Sequence, residues 1–397
     1  MVLGLASRSR LIAPSATMAM AAEARRLKSE GVTVHDFSLG EPDFDTPVNI
    51  QEAAIRAMRA GLTHYTAAAG IPELRKALAD HYTKLGSPTL PAQVIVSNGA
   101  KQSIHNALMA VCGPGDEVVI PAPFWVSYAD LVRLTGAEPV VVPTDESEGF
   151  KLSPDRLSAA INPRTKLVML NSPSNPTGLV YTRRELEALA DVVLKTDAGV
   201  LSDEIYEQLT YEDSEPTCFA TLRPGLSERT ITISGVSKTY AMTGWRIGWA
   251  IAAKEVATFM GDLQSQETAN ACSISQWAAV EAIGGDQSSV DAMRLEFTER
   301  RRFVLDRIAL LPGVTCVPPQ GAFYAFMNVS AHFGRQIAGF DVVDSTSFCK
   351  AALAGGGVAL VPGAAFGAEG YARLSFATGM ETIRAGLEAF DGFLRSA

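Results

Sequence analysis

A chain of 397 residues, 47% hydrophobic and 19% charged, is long enough for two or three ordinary cores and has the balance of a globular protein. Its formal net charge of −9 argues against a nucleic-acid surface. No apolar run approaches the roughly 20 residues that cross a bilayer. The five scattered cysteines and five histidines show no ligand spacing, so neither a disulfide framework nor a metal is expected. Residues 1–22 lack acids and carry Arg8 and Arg10, as transit peptides do. They continue straight into a helical pattern, however, so the segment reads as an integral arm and the protein as cytoplasmic.

The helical pattern over 18–29 stops at Gly31, and a β-like run over 32–39 leads into Gly40-Glu41-Pro42-Asp43-Phe44-Asp45-Thr46-Pro47. Two prolines and a glycine make this a shaped loop. Thr46 is the expected N-cap, and Pro47 the first residue, of a helix over 48–59. After His64-Tyr65-Thr66, the run Gly70-Ile71-Pro72-Glu73-Leu74-Arg75 opens another helix.

Short apolar strands then alternate with helices. Strands are expected over 94–96, 116–120, 138–142, 166–170, 200–202 and 230–233, with helices over 103–111, 126–134, 154–161 and 183–194 between them. This β-α order predicts an α/β protein with a mostly parallel sheet between helices. Functional groups should collect where its strands end. Those ends are Ser97-Asn98-Gly99-Ala100-Lys101-Gln102, Pro121-Ala122-Pro123-Phe124-Trp125, Asn171-Ser172-Pro173-Ser174-Asn175-Pro176-Thr177-Gly178 and Asp203-Glu204-Ile205-Tyr206. The first is a glycine turn into a helix, whose free N–H groups and dipole suit an anion.

The last of these strands runs into Ser234-Gly235-Val236-Ser237-Lys238-Thr239-Tyr240-Ala241-Met242-Thr243-Gly244-Trp245-Arg246-Ile247-Gly248. A lysine among small residues gains little from packing, and burial beside cations lowers its pKa and makes it a nucleophile toward carbonyls. Eight residues on, Arg246 offers a planar fork for phosphate. On these residues alone a solvated lysine on a turn is the competing reading. Beyond them, helical stretches cover 254–283, broken near 270–273, and 290–311. The second carries nine charges and reads as a largely solvated helix crossing between domains. The remainder changes to α+β order, which suggests a smaller second domain: 1–45 as an arm and part of the small domain, 46–295 as the large domain, 296–397 as the small one.

The lysine stretch resembles the signature of the fold-type-I aminotransferases. The chain from Leu5 to Phe393 is similar to a class I aminotransferase of the aspartate aminotransferase family, in the bacterial branch that holds aspartate and prephenate aminotransferases. The motifs that carry this are Pro14-Ser15-Ala16-Thr17, the loop from Gly40 to Pro47, the run from Gly70 to Arg75, Ser174-Asn175-Pro176-Thr177-Gly178 and the lysine stretch. The resemblance implies the fold of the PLP-dependent transferases, fold type I, with pyridoxal phosphate (PLP) as cofactor, held by a lysine Schiff base with an acid at its pyridine nitrogen. It makes Lys238 that lysine, Asp203 the acid, and Asn175 and Tyr206 the partners of the phenolic oxygen. Trp125 would stack on the ring, while Gly99, Ala100, Lys101 and Arg246 hold the phosphate. Arg373, with Asn175 and the backbone of Gly40, would take the substrate α-carboxylate. Tyr65 would reach the phosphate of the neighbouring subunit in a homodimer.

Lys101 and Thr17 are the implied grip on a distal carboxylate, and Asn175-Pro176 and Ala122-Pro123 are expected to be cis. The implied reaction is a ping-pong exchange of an amino group between a dicarboxylic amino acid and a 2-oxo acid. An aromatic or alanine-type aminotransferase, or a C–S lyase on the same apparatus, is the alternative. Two positions depart from the family. Gly235 stands where many relatives place a serine, so side-chain help to the phosphate falls to Ser237; Glu267 stands where a small hydroxyl residue is usual. His105 is expected only to pack on its helix.

Overall fold

The computed structural model describes the chain apart from residues 1, 2, 13, 212, 213 and 397, with Ser7 described by its backbone alone. Helix α1 (Ala16–Ser29) and strand β1 (His35–Asp36) precede α2 (Val48–Arg59) and α3 (Pro72–Lys84). Then come β2 (Val94–Ser97), α4 (Ala100–Val111), β3 (Glu117–Ala122), α5 (Tyr128–Leu134), β4 (Glu138–Pro143), α6 (Pro154–Ala160), β5 (Thr165–Asn171), α7 (Arg183–Val193), β6 (Gly199–Asp203) and β7 (Thr230–Gly235), in the predicted alternation. Strand β8 (Gly248–Ile251) has no predicted counterpart; it lies directly behind the lysine stretch and is placed by its pairing with β7 and β2.

Among the described residues, seven strands form one sheet in the order β2-β8-β7-β6-β5-β3-β4. Strands β7, β6, β5, β3 and β4 pair in parallel, and β8 runs antiparallel between β7 and β2. Alternate side chains of a strand face opposite ways, and two cores result. Val118, Ile120, Leu167, Met169 and Leu201 pack with Ile104 and Leu108 of α4. Val119, Val168, Leu170 and Val200 pack with Leu157 of α6 and Leu186 and Leu189 of α7. Strands buried on both faces need no polar alternation, which is why they read as plain apolar runs.

Helices α8 (Lys254–Glu267), α9 (Ser273–Gly284) and α10 (Ser288–Ile308) follow. Next are β9 (Thr315–Cys316), β10 (Tyr324–Asn328), the hairpin of β11 (Arg335–Ile337) and β12 (Phe340–Val342), α11 (Ser345–Gly356), β13 (Val358–Ala359), β14 (Val361–Pro362), β15 (Tyr371–Ser375) and α12 (Met380–Arg395). A smaller antiparallel sheet takes the order β14-β15-β10-β9. The long β-like run before the shaped loop shrinks to β1, which pairs in parallel with β13. Phe37 continues the ladder to Ala359 and Ser375 and is buried in the core of the smaller sheet.

Helix α10 corrects the expectation of a solvated connector. It buries Val290, Met293, Phe297, Arg300, Arg301, Val304 and Ile308 along one stripe. The Arg300 guanidinium pairs with Asp43 at 2.6 Å and Glu296 at 3.0 Å, and lies over the rings of Phe44 and Phe297. Part of the charge that suggested a wet helix is therefore spent inside, pinning the shaped loop. Thr46 likewise is not a cap: its hydroxyl donates to the Ala241 carbonyl and accepts from the Trp245 indole, tying the loop to the lysine stretch.

Gly248 of β8 faces Ser97 and Gly235 across the ladders. A Cβ there would overlap Ala100 N and lie 2.5 Å from the Gly99 carbonyl carbon. Gly248→Ala must push the start of α4 aside, and is expected to cost about 1–3 kcal/mol in urea-unfolding free energy. An unchanged midpoint would show that this turn yields freely.

Candidate active site

Because β2, β3, β5, β6 and β7 share one direction, their carboxyl ends share one edge of the sheet, and the loops beyond them line a cavity of about 260 Å3. Asp203 ends β6 beside Asn171 of β5. The Asn171 amide donates to the Asp203 carbonyl at 2.9 Å, and its oxygen accepts from Asn175 N at 2.8 Å, so one side chain sets both neighbours. Gly99, at φ +85°, caps α4, and a Cβ on it would overlap the Arg246 guanidinium. That close approach brings Arg246 to the N–H groups at the helix start, where an anion is favoured twice over.

The charge balance of the cavity is lopsided. Its lining holds Lys101, Lys238, Arg246 and Arg373 but one acid, Asp203. Among the described residues no carboxylate forms an ion pair with any of these cations. Arg373 is 2% exposed; it donates to Asn175 Oδ1 at 3.0 Å and to the Ser38 carbonyl at 2.6 Å, while its Nε has no partner. A buried cation left so costs free energy until an anion meets it.

Burial pushes the Lys238 amine down to about 8; Glu41 opposes this, and Arg373 and Arg246 add to it. The ammonium donates to the Gly40 carbonyl at 2.5 Å. Burial raises Asp203 to about 6, against the Tyr128 hydroxyl, which donates to Oδ2 at 2.5 Å, and the Ile205 N–H, which donates to Oδ1 at 3.3 Å. A cation at the less firmly held oxygen would keep this carboxylate ionised. Lys101 holds its ammonium 4.8 Å from the Trp125 ring centre; burial, then Arg246, lowers its pKa.

The chain matches, over residues 32–390, the sequence profile of the family described as aminotransferase class I and II. It is 47% identical to an aspartate/prephenate aminotransferase of Cereibacter sphaeroides over 96% of both chains. The chain belongs to this aminotransferase family. Its structure is similar to that of the aspartate aminotransferase of Rhizobium meliloti, with a TM-score of 0.96, 39% identity and all of both chains covered. It is also similar to that of the Thermus thermophilus aspartate aminotransferase with maleate, with a TM-score of 0.93, 41% identity and 99% and 100% of the two chains covered.

As an aminotransferase the protein uses pyridoxal phosphate, and the cavity has the groups to receive it: an amine, an acid, a ring face and an anion cup. The predicted Gly40, Ala100, Lys101, Trp125, Asn175, Asp203, Tyr206, Ser237, Lys238, Arg246, Arg373 and Thr17 all line it, and Gly99 adjoins it through Arg246. Tyr65 does not line it; that side chain is 92% exposed on the surface. Both expected cis bonds are present, together with Ser172-Pro173. At Gly235 a Cβ would lie 3.0 Å from the Ile247 carbonyl and 3.1 Å from Gly248 Cα, so this ladder has little room for a serine. His105 does more than pack: it faces Glu267 at 3.4 Å.

Sequence reasoning missed Tyr128 and Tyr324. Tyr128 opens α5 three residues after Trp125, its N–H donating to the Trp125 carbonyl, a spacing that was there to be read. Tyr324 reaches the cavity from the smaller sheet, and nothing local to β10 announces it. Among the described residues no helix is long and apolar enough to cross a membrane, and no cluster of His, Cys, Asp and Glu could hold a metal.

The depressed pKa of Lys238 has a direct readout. In the cofactor-free protein its labelling by an amine-directed reagent should rise with pH through a midpoint of about 8, since only the neutral amine reacts. Surface lysines should follow at about 10.4. Peptide mass spectrometry across a pH series separates the two, and a shared midpoint would contradict the burial argument.

Proposed function

We propose that this aminotransferase takes dicarboxylic amino acids, aspartate and glutamate, and passes their amino group to a 2-oxo acid. What supports this is unpaired polarity within one cavity. Among the described residues Arg373 has no carboxylate partner, and the buried Thr17 hydroxyl, which lines the cavity together with the Lys101 ammonium, has no partner either. Thr17 is free for this task because Ser15 caps α1 instead, its hydroxyl accepting from Met18 N. A dicarboxylate would offer one carboxylate to Arg373 and the other to Lys101 and Thr17, and the Thermus enzyme is paired with a dicarboxylate, maleate, in its structure. Prephenate, in the name of the Cereibacter relative, carries two carboxylates too and is the second acceptor to assay.

Pyridoxal phosphate, when bound, supplies the electron sink for charge developing at the substrate α-carbon. The chain does the rest. Ser237, Arg246 and the backbone of Gly99, Ala100 and Lys101 would hold the phosphate; Trp125 would cover the ring; Asn175 and Tyr206 would meet the phenolic oxygen. Asp203, its Oδ2 satisfied by Tyr128, keeps Oδ1 for the pyridinium. Arg373 and Asn175 orient the α-carboxylate so that the α-hydrogen faces Lys238. With a pKa of about 8, that amine can take and return a proton near neutrality, which an ordinary lysine cannot do efficiently.

Steady-state kinetics test the specificity. Lys101→Ala should raise KM for aspartate and glutamate by the equivalent of roughly 2–3 kcal/mol, while slow turnover of alanine and phenylalanine stays unchanged. Lys238→Ala, the blank, should lose turnover by at least about a thousandfold. Equal losses on charged and uncharged substrates would assign Lys101 to the cofactor and remove the dicarboxylate reading.

We also infer a homodimer in which Tyr65 reaches the partner's phosphate. Its exposure, and that of Val48 at 72% and Leu5 at 87%, supports a covered face. Sedimentation should give twice the 42.2 kDa chain mass, and Tyr65→Phe should weaken cofactor binding. An active monomer would sink the arrangement.

A further inference from the structure

Tyr324 lines the cavity beside both Arg373 and Tyr206. In the smaller sheet it pairs with Ser375, and Arg373 pairs with Phe326, so the two side chains are diagonal neighbours on one face. The Tyr324 ring centre lies 4.6 Å from the Arg373 guanidinium carbon. Its hydroxyl is 2.8 Å from that of Tyr206, and both phenols are buried. A Cβ on Gly40 would overlap the same hydroxyl, so the glycine at this point of the shaped loop leaves the space it occupies.

The proton count of this pair is restrictive. Among the described residues neither phenol has another hydrogen bond, and one proton lies between them. The nearby charged groups are Arg373 and Lys238, which are donors, and Asp203, whose Oδ2 already receives Tyr128. If Tyr206 gives its proton outward to a ligand oxygen, the shared proton is the one from Tyr324. Burial raises the Tyr324 hydroxyl above its ordinary value, and Arg373, 4.6 Å from the ring centre, works against that rise, as its charge also does at Tyr206. Chains of hydrogen bonds strengthen one another, so a donor to Tyr206 makes Tyr206 a better donor in turn.

We propose that Tyr324 is a positioning residue: it donates to Tyr206, fixes that residue's proton toward the phenolic oxygen of the cofactor, and joins the Arg373 clamp to that oxygen. The proposal rests on the reading above that Tyr206 meets the phenolic oxygen. It makes a spectroscopic claim. Donation to the phenolic oxygen stabilises the form of the lysine–cofactor linkage that has lost its proton. Weaker donation therefore raises the pH midpoint of the bound cofactor's visible band.

The experiment is a double-mutant cycle on the holoenzyme, read by absorbance against pH. Tyr324→Phe should move the midpoint up by roughly half a unit, and Tyr206→Phe should move it further. Tyr324→Phe should add nothing once Tyr206 is Phe. If Tyr206→Phe shifts the midpoint and Tyr324→Phe does not, or if the two shifts simply add, the relay is overturned while the cofactor reading stands. If Tyr206→Phe itself shifts nothing, the reading of Tyr206 fails and takes the relay with it. A second arm keeps the ring separate from the hydroxyl. Tyr324→Phe should leave the Kd of maleate within about twofold, and Tyr324→Leu, which removes the ring beside Arg373, should weaken it by about fivefold or more. A maleate Kd unmoved by Tyr324→Leu would overturn the coupling to the clamp.

Discussion

Arg373 sits in the interior and, among the described residues, no acid pairs with it; much of the site is arranged to hold it there. Asn175 and the Ser38 carbonyl take two of its donors without removing its charge, and the rings of Tyr324 and Phe366 flank it. Neutral partners steady the guanidinium and leave its field open to an incoming carboxylate. The same field reaches Lys238 and helps to hold its amine below the usual lysine range, after burial has done most of that work. The charge proposed to take the substrate carboxylate is thus one of those that hold the amine down.

Opposing it is a single lining acid, in a chain whose overall charge is negative. Acids elsewhere are spent on other pairs, such as Asp43 with Arg300 and Glu117 with Arg164. Glu41, close enough to influence Lys238, accepts a hydrogen bond from Thr243 at the rim. Segregating charge in this way concentrates anions at the carboxyl edge of the sheet.

Most of the large sheet was legible because its strands are apolar on both faces and its turns carry local chemistry. Clusters of glycine, proline and asparagine, and the lysine stretch, follow the strands that line the cavity, so the residues at those ends could be gathered before any fold was known. What escaped has a common cause. Tyr324, the antiparallel β8 and the buried face of α10 owe their placement to partners far along the chain, and Thr46 exchanged a local capping role for bonds to Ala241 and Trp245. Tyr128 is different: its helical spacing from Trp125 was visible, and only its bond to Asp203 needed the third dimension.

The pairing of β1 with β13 has a consequence for how the chain is made. Residues 35–37 are made long before their ladder partners, which lie at 358–359 and 375. The large sheet, built between residues 94 and 251, can close in the meantime from contacts that are mostly between successive units. The N-terminal segment must wait, its Phe37 without a core, until the last strands of the smaller sheet arrive. Residues 35–37 and 358–375 are therefore drawn into one layer only once the later segment exists, and the smaller sheet's share of the cavity is completed after the large sheet's.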